Sequence, residues 1–86
     1  MNWAEHHSES ERLASAAHVA ARSGHLEQAD ALYRASGKAE QAAFGALESS
    51  KLRTRGITAV SAVSLFYKGK DYAAAQAFAC RCLANE

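Results

Sequence analysis

Arg12 and His18 are the two side chains whose types and spacing most suggest chemistry. An arginine and a histidine held near one phosphate group can stabilise developing negative charge and transfer a proton. The short cationic run of Lys51, Arg53 and Arg55 would add contacts to a nucleic-acid backbone. Such charges are more often found on solvated turns and helix ends, and this is the preferred interpretation of the basic run.

Other catalytic and metal-binding arrangements have little support in the spacing of the remaining polar residues. His6 and His7 are adjacent, so they point to different faces of a helix and predict no metal site. Cys80 and Cys82 are two residues apart, which disfavours a mutual disulfide and suggests small buried side chains. No phosphate-binding glycine loop or nucleophile motif accompanies them. We therefore expect no catalytic residue, no metal and no cofactor.

The composition indicates one small domain without a strong charge bias. The chain has 86 residues, of which ten are basic and nine acidic, with a formal net charge of +1. This balance is not that of a dedicated nucleic-acid binder. We expect neither a signal peptide nor a membrane span, because no stretch is apolar enough. Two cysteines without a pairing pattern favour a reducing, cytoplasmic setting.

The elements that must position these residues are predicted to be helices. Proline is absent, alanine is abundant and alternating strand patterns are sparse. Ser8 and Glu11 match a capping box, which predicts the start of the first helix. The polar, basic stretch that ends in Gly56 predicts a loop. We expect one all-α domain over residues 1–86, with a flexible lead-in at 1–7, a first hairpin at 8–50, a loop at 51–56 and a second hairpin at 57–86.

Two stretches of the chain repeat one pattern. Residues 21–29 and 67–75 each contain a basic residue, a glycine-containing turn, a large apolar residue and then an alanine, which is Ala29 or Ala75. Small residues at such positions let two helices joined by a short turn approach closely. The pattern resembles the tetratricopeptide repeat, and that resemblance implies four antiparallel helices arranged as two stacked helical hairpins.

The same resemblance implies a binding surface. Ala29 and Ala75 lie 46 positions apart, more than the family period of about 34 residues, so we expect an elongated second helix. In this family the first helix of each hairpin lines a concave groove that receives a peptide or a partner helix. The residues with which some members clamp a terminal carboxylate are not reproduced. The matching groove positions are His18, Arg22, Ile57, Ser61, Ser64 and Lys68.

The last predicted helix carries little charge, and we expect it to mediate self-association. A contiguous apolar surface often marks an association site, and a two-fold dimer would enlarge a small core. The alternatives are that this helix is central in a four-helix bundle, or that the natural protein continues beyond residue 86 with a polar capping element. The predicted face consists of Tyr72, Phe78, Ala79, Cys82 and Leu83.

The favoured function is a non-enzymatic module for protein–protein interaction or scaffolding, which binds a peptide or partner helix and forms a homo-oligomer. The alternative is a small ribonuclease or nucleic-acid-binding regulator. The separation of Arg12 and His18 resembles the arginine–histidine element of HEPN-type ribonucleases, and the basic loop would then contact RNA. The neighbouring residues lack the rest of that family's pattern, so the interaction module is preferred.

Overall fold

Four α-helices contain most of the residues that the computed structural model describes, which are residues 1–84. They are α1 (Trp3–Arg22), α2 (Leu26–Gly45), α3 (Leu52–Lys68) and α4 (Tyr72–Ala84), and the described residues contain no strand. The all-α class is therefore confirmed. The second helix, α2, has 20 residues, as many as α1.

The contacts between α1 and α2 show that these helices are antiparallel. The Ser36 hydroxyl donates a hydrogen bond to the Ser10 carbonyl at 2.7 Å, and the two hydroxyls lie 3.1 Å apart. One turn earlier in α1 and one turn later in α2, His7 contacts Glu40. Because a step back along α1 matches a step forward along α2, the chain reverses direction between them.

The same reasoning applies to α2 and α3. The guanidinium of Arg34, in the first half of α2, donates to the Gly69 carbonyl just past the end of α3 at 2.8 Å. At the opposite ends of these helices, the Arg55 guanidinium lies 4.4 Å from the centroid of the Phe44 ring. These two contacts place α3 antiparallel to α2 along most of its length.

The predicted flexible lead-in at 1–7 is wrong, because α1 begins at Trp3. Asn2 caps this helix: its side-chain oxygen accepts from the Glu5 amide at 2.9 Å, and the Asn2 amide donates to the Glu5 carboxylate at 3.2 Å. This reciprocal pair is a capping box, one of the strongest start signals for a helix. Ser8 matches the same pattern in sequence but lies inside the helix, where its backbone needs no cap.

The predicted loop at 51–56 is also wrong. The chain leaves α2 at Gly45, and α3 begins at Leu52, so the connection is 46–51. The stretch is polar, but leucine and arginine are good helix formers and one glycine is tolerated inside a helix, so it continues as the first turns of α3. Arg53 and Arg55 therefore belong to the first turns of α3.

The two short turns, α1–α2 and α3–α4, share one backbone conformation. Gly24 has φ 82° and Lys70 has φ 62°, and each lies five residues before the matching alanine. In each turn the next amide donates to the carbonyl five residues earlier at 2.9 Å, which is the long hydrogen bond of a Schellman motif. Lys70 also forms an ion pair with Asp30 at 2.9 Å. The repeat predicted from sequence is thus a repeat of turn geometry.

The alanines predicted to lie at the helix crossings are buried. Ala29 is 2% exposed and Ala75 is 6% exposed, so neither methyl group faces water. The large apolar residues three positions earlier, Leu26 and Tyr72, are both exposed. Both copies of the repeat therefore bury the small residue and expose the large one.

Two phenylalanines supply the largest apolar side chains of the core. Phe66 of α3 is 1% exposed, and its ring packs against Gly37 of α2, where an added Cβ would lie 2.9 Å from the ring. Phe78 of α4 is 5% exposed and meets Phe44 edge to face, with the ring centroids 5.3 Å apart. Placing Phe78 on an exposed association face was wrong, because α4 turns this side chain toward α2.

Candidate functional site

A cleft of about 610 Å³ opens between the end of α2, the start of α3 and the end of α4. Its large apolar lining residues are Phe44, Leu52, Val60 and Phe78. Phe78 is buried, whereas Leu52 and Val60 are 76% and 68% exposed. The cleft therefore has an aromatic floor and an open, aliphatic rim, both of which any occupant would cover.

Two arginines flank this apolar floor. The Arg55 guanidinium lies over the Phe44 ring and its Nη1 donates to the Leu47 carbonyl at 3.4 Å. The Arg81 guanidinium lies 5.5 Å from the centroid of the Phe78 ring. Among the described residues that line the cleft, none is acidic. The first turn of α3 also lacks an acidic residue, so the positive end of its dipole adds to the cationic character of the cleft.

Cys82 lines the cleft, and Cys80 does not. Burial raises the pKa of the Cys82 thiol, and the nearby Arg55 and Arg81 oppose that shift without cancelling it. A raised pKa lowers the fraction of thiolate, which is the nucleophilic form of cysteine. Cys80 is exposed, which corrects the prediction that both cysteines are small buried side chains.

A polar network joins the start of α1 to α2 and α3. The His7 ring nitrogen Nδ1 lies 2.9 Å from a carboxylate oxygen of Glu40, and Nε2 lies 3.2 Å from Glu11. The Trp3 ring stacks on His7 at a centroid distance of 4.7 Å, and its Nε1 donates to the Thr58 hydroxyl at 3.1 Å. Trp3 therefore connects the start of α1 to α3, and His7 connects it to α2.

The network is better suited to structure than to catalysis. The Glu40 side chain is 3% exposed and that of His7 is 34% exposed. Both ring nitrogens of His7 already face carboxylates, and neither His7 nor Glu40 lines the cleft. Sequence reasoning missed this pair, since Glu40 has no local signal and its partner lies 33 positions away.

Replacing His7 with alanine is expected to lower the free energy of unfolding by about 1–3 kcal/mol, because a buried carboxylate then loses a charge-assisted hydrogen bond. The loss should shrink in a Glu40→Leu background, where no carboxylate remains to be compensated. Urea unfolding followed by far-UV circular dichroism measures both effects.

His18→Ala is the matched control, since His18 lies exposed on the same helix. Its substitution should change stability by no more than about 0.5 kcal/mol. Equal effects of His7→Ala and His18→Ala would contradict a role for the network.

The structure leaves the predicted groove residues largely in contact with solvent. His18, Arg22, Ile57, Ser64 and Lys68 are exposed and Ser61 is half-buried. None of the six lines the cleft. The Lys68 ammonium lies 5.8 Å from the centroid of the Tyr33 ring, which ties one groove position to α2. Peptide binding at these positions stays a prediction.

The predicted self-association face is divided between surface and cleft. Tyr72 and Leu83 are exposed on α4, and Ala79 and Cys82 are half-buried. Tyr72 packs edge to face against Tyr67 of α3, with centroids 5.1 Å apart. The role of these four residues in self-association stays a prediction.

Arg12 and His18 do not form one site on α1. An α-helix has about 3.6 residues per turn, so two side chains six positions apart differ by about 120° in direction around the helix axis. Arg12 and His18 therefore point to different sides of α1. The Arg12 guanidinium donates to Glu9 at 3.0 Å. That hydrogen bond lowers the pKa of Glu9 and raises the pKa of Arg12. Arg12 is therefore engaged in an exposed ion pair with Glu9.

No protein-family model matches the chain, and neither a curated protein nor a solved structure shows significant similarity to it. Within residues 1–84, no helix combines the length and the apolar character needed to cross a membrane. The same residues contain no cluster of three or more histidine, cysteine, aspartate or glutamate side chains that could hold a metal ion.

Proposed function

We propose that this chain is a non-enzymatic, tetratricopeptide-like interaction module that binds a peptide or partner helix through the apolar surface of α3 and α4. The observation that supports this function is the distribution of exposed large hydrophobic side chains. Nine are exposed among the described residues, and six of them lie on these two helices: Leu52, Ile57, Val60, Tyr67, Tyr72 and Leu83. An exposed concentration of this kind is typical of an interaction site.

The exposed residues of α3 share one face. Ile57, Val60 and Tyr67 follow helical spacing, and the opposite face buries Ala62 and Phe66 against the other helices. Three predicted groove positions, Ile57, Ser64 and Lys68, occupy or adjoin the exposed face. An apolar helical face with its own hydrophobic core behind it is a rigid platform for a second helix.

The tetratricopeptide-like character of the module has support in the repeated turns. Both turns have a residue with positive φ and the same long hydrogen bond, followed five residues later by a buried alanine. Two such hairpins, stacked with an elongated second helix, would present the first helix of each hairpin to a ligand.

Selection from a displayed library of random peptides of about 16 residues, long enough for about four helical turns, tests the proposed function. We expect enriched sequences with apolar residues at helical spacing and dissociation constants of about 1–100 μM. An Ile57→Lys/Tyr67→Lys double variant should weaken binding at least about tenfold. Leu26→Lys, at an exposed apolar position of α2, is the control. No enrichment, or equal weakening by the control, would refute peptide binding.

Self-association is the second part of the proposal and needs its own measurement. Light scattering after size-exclusion chromatography should give a mass near twice that of the chain, and a Tyr72→Lys/Leu83→Lys variant should return it to one chain. A monomer at every concentration would remove the homodimer and leave the peptide-binding module intact. A cytoplasmic setting remains a prediction from composition.

A further inference from the structure

We infer that the cleft between α2, α3 and α4 binds an acidic amphipathic helix of a partner protein, with that helix's apolar side chains on the floor and its carboxylates against Arg55. The inference rests on the proposed function and names the chemistry of the partner.

The floor of the cleft supplies the apolar contacts. Phe44 and Phe78 present aromatic surface, and Leu52 and Val60 extend it along α3. Two apolar side chains one helical turn apart on a bound helix can cover this surface at once, which is the usual mode of helix recognition in a groove. Leu52 and Val60 are mostly exposed in the free chain, so their burial would contribute favourably to binding.

The charge beside the floor sets the charge expected of the partner. Arg55 lies over the Phe44 ring in the lining of the cleft, and no described lining residue is acidic. Arginine pairs with carboxylates through two parallel hydrogen bonds, and it does so more strongly next to apolar surface than in open solvent. A basic peptide would meet the like charge of Arg55. A symmetric second copy seated on the same cleft would bring a second Arg55 toward the first, so the cleft favours an acidic partner over another copy of this chain.

The openness of the cleft favours a helix over a small molecule. Pockets for small ligands usually enclose about 70–90% of the ligand surface. Here two of the four large apolar lining residues are more than two-thirds exposed, so an occupant would keep one side in water. An amphipathic helix has a polar side that tolerates this exposure.

Two peptides that differ only in charge test the inference. The first is a helical peptide of about 16 residues with leucines at positions i, i+3, i+4 and i+7 and glutamates on the flanking positions, and the second has lysine at every glutamate position. Fluorescence anisotropy at physiological salt should show the glutamate peptide binding at least about tenfold more tightly than the lysine peptide.

Charge reversal in the protein supplies the matched comparison. An Arg55→Glu variant should remove the preference for the glutamate peptide. Arg53→Glu carries the same change in net charge on a residue that does not line the cleft, and it should leave the preference unchanged. Far-UV circular dichroism confirms that both variants keep the helical content of the parent chain.

The two cysteines report where the peptide binds. Cys82 lines the cleft and Cys80 is exposed outside it, so bound glutamate peptide should slow alkylation of Cys82 by at least about fivefold and leave Cys80 unaffected. The rates are measured separately in Cys80→Ser and Cys82→Ser variants by mass spectrometry.

Several outcomes would overturn the inference. They are equal affinity for the two peptides, no binding of the glutamate peptide, equal effects of the two charge-reversal variants, and protection of Cys80 instead of Cys82. Binding of dodecanoate, a single-chain carboxylate amphiphile, in place of the peptide would also overturn it. If library peptides bind the Ile57 and Tyr67 face while the glutamate peptide fails, the proposed function stands and this inference falls.

Discussion

Replacement of Phe66 by alanine is expected to lower the free energy of unfolding by about 3–5 kcal/mol. The ring is 1% exposed and fills the space between α2 and α3, so its loss removes apolar burial and leaves a cavity. For a chain of this length the whole stability is about 4–13 kcal/mol at 0.05–0.15 kcal/mol per residue. The melting temperature should fall by at least about 12 °C. Urea and thermal unfolding followed by far-UV circular dichroism measure both quantities.

A substitution at Gly37 of α2 tests the contact of this helix with the Phe66 ring of α3. An alanine Cβ there would lie 2.9 Å from Phe66 Cδ1, so Gly37→Ala should destabilise the parent chain, although alanine is the better helix former. In a Phe66→Leu background the ring is absent, and the same substitution should cost less. Gly45→Ala is the control, because nothing lies within 4 Å of its added Cβ. Additive effects of the Gly37 and Phe66 substitutions would show that the two positions do not interact.

Replacement of Gly69 by alanine is expected to destabilise the chain by about 2–3 kcal/mol, near the upper end of the usual cost of overpacking. The added Cβ would lie 2.8 Å from the Arg34 backbone nitrogen and 2.9 Å from the Asp30 carbonyl oxygen. Backbone atoms inside a helix cannot rotate away as a side chain can. The first half of α2 and the α3–α4 turn would therefore have to separate, which a shift in the midpoint of urea unfolding measures.

The role of backbone contact at Gly69 can be separated from that of the Arg34 side chain, whose Cγ would lie 2.6 Å from the added Cβ. Arg34→Ala removes that atom but leaves the backbone nitrogen in place. The Gly69→Ala/Arg34→Ala double variant should thus remain unstable. Full rescue by Arg34→Ala would show that only the side chain matters. Gly56→Ala, where the added Cβ meets nothing within 4 Å, should be neutral or stabilising.

The sequence predicted features that depend on neighbouring residues in the chain. Four helices, two short turns and buried alanines at 29 and 75 follow from alanine content, glycine placement and the repeated pattern, and the structure confirms them. The start of the first helix was predicted at Ser8, but α1 begins at Trp3. Ser8 lies inside α1, and the observed cap is Asn2, which bonds reciprocally with Glu5. The packing of Trp3 against His7 and Thr58 adds contacts between this first turn and the rest of the domain.

The candidate site could be predicted only in part. Arg55, Phe78 and Cys82 were singled out from the sequence, but for a loop and an association face, not for a cleft. Phe44 carried no signal of its own, because its importance comes from Phe78 and Arg55, which approach it from two other helices.

The sequence by itself determined the all-α class, the repeated turns and the alanines at the crossings, because helix propensity and turn geometry are local properties of the chain. Only the tertiary structure decided which side chains meet across helices. The contact of Glu40 with His7, the fit of Gly37 to Phe66 and the cleft beside Arg55 each depend on how far the helices are rotated and shifted against one another. Packing of the whole domain sets that rotation and shift, and no short stretch of sequence encodes it.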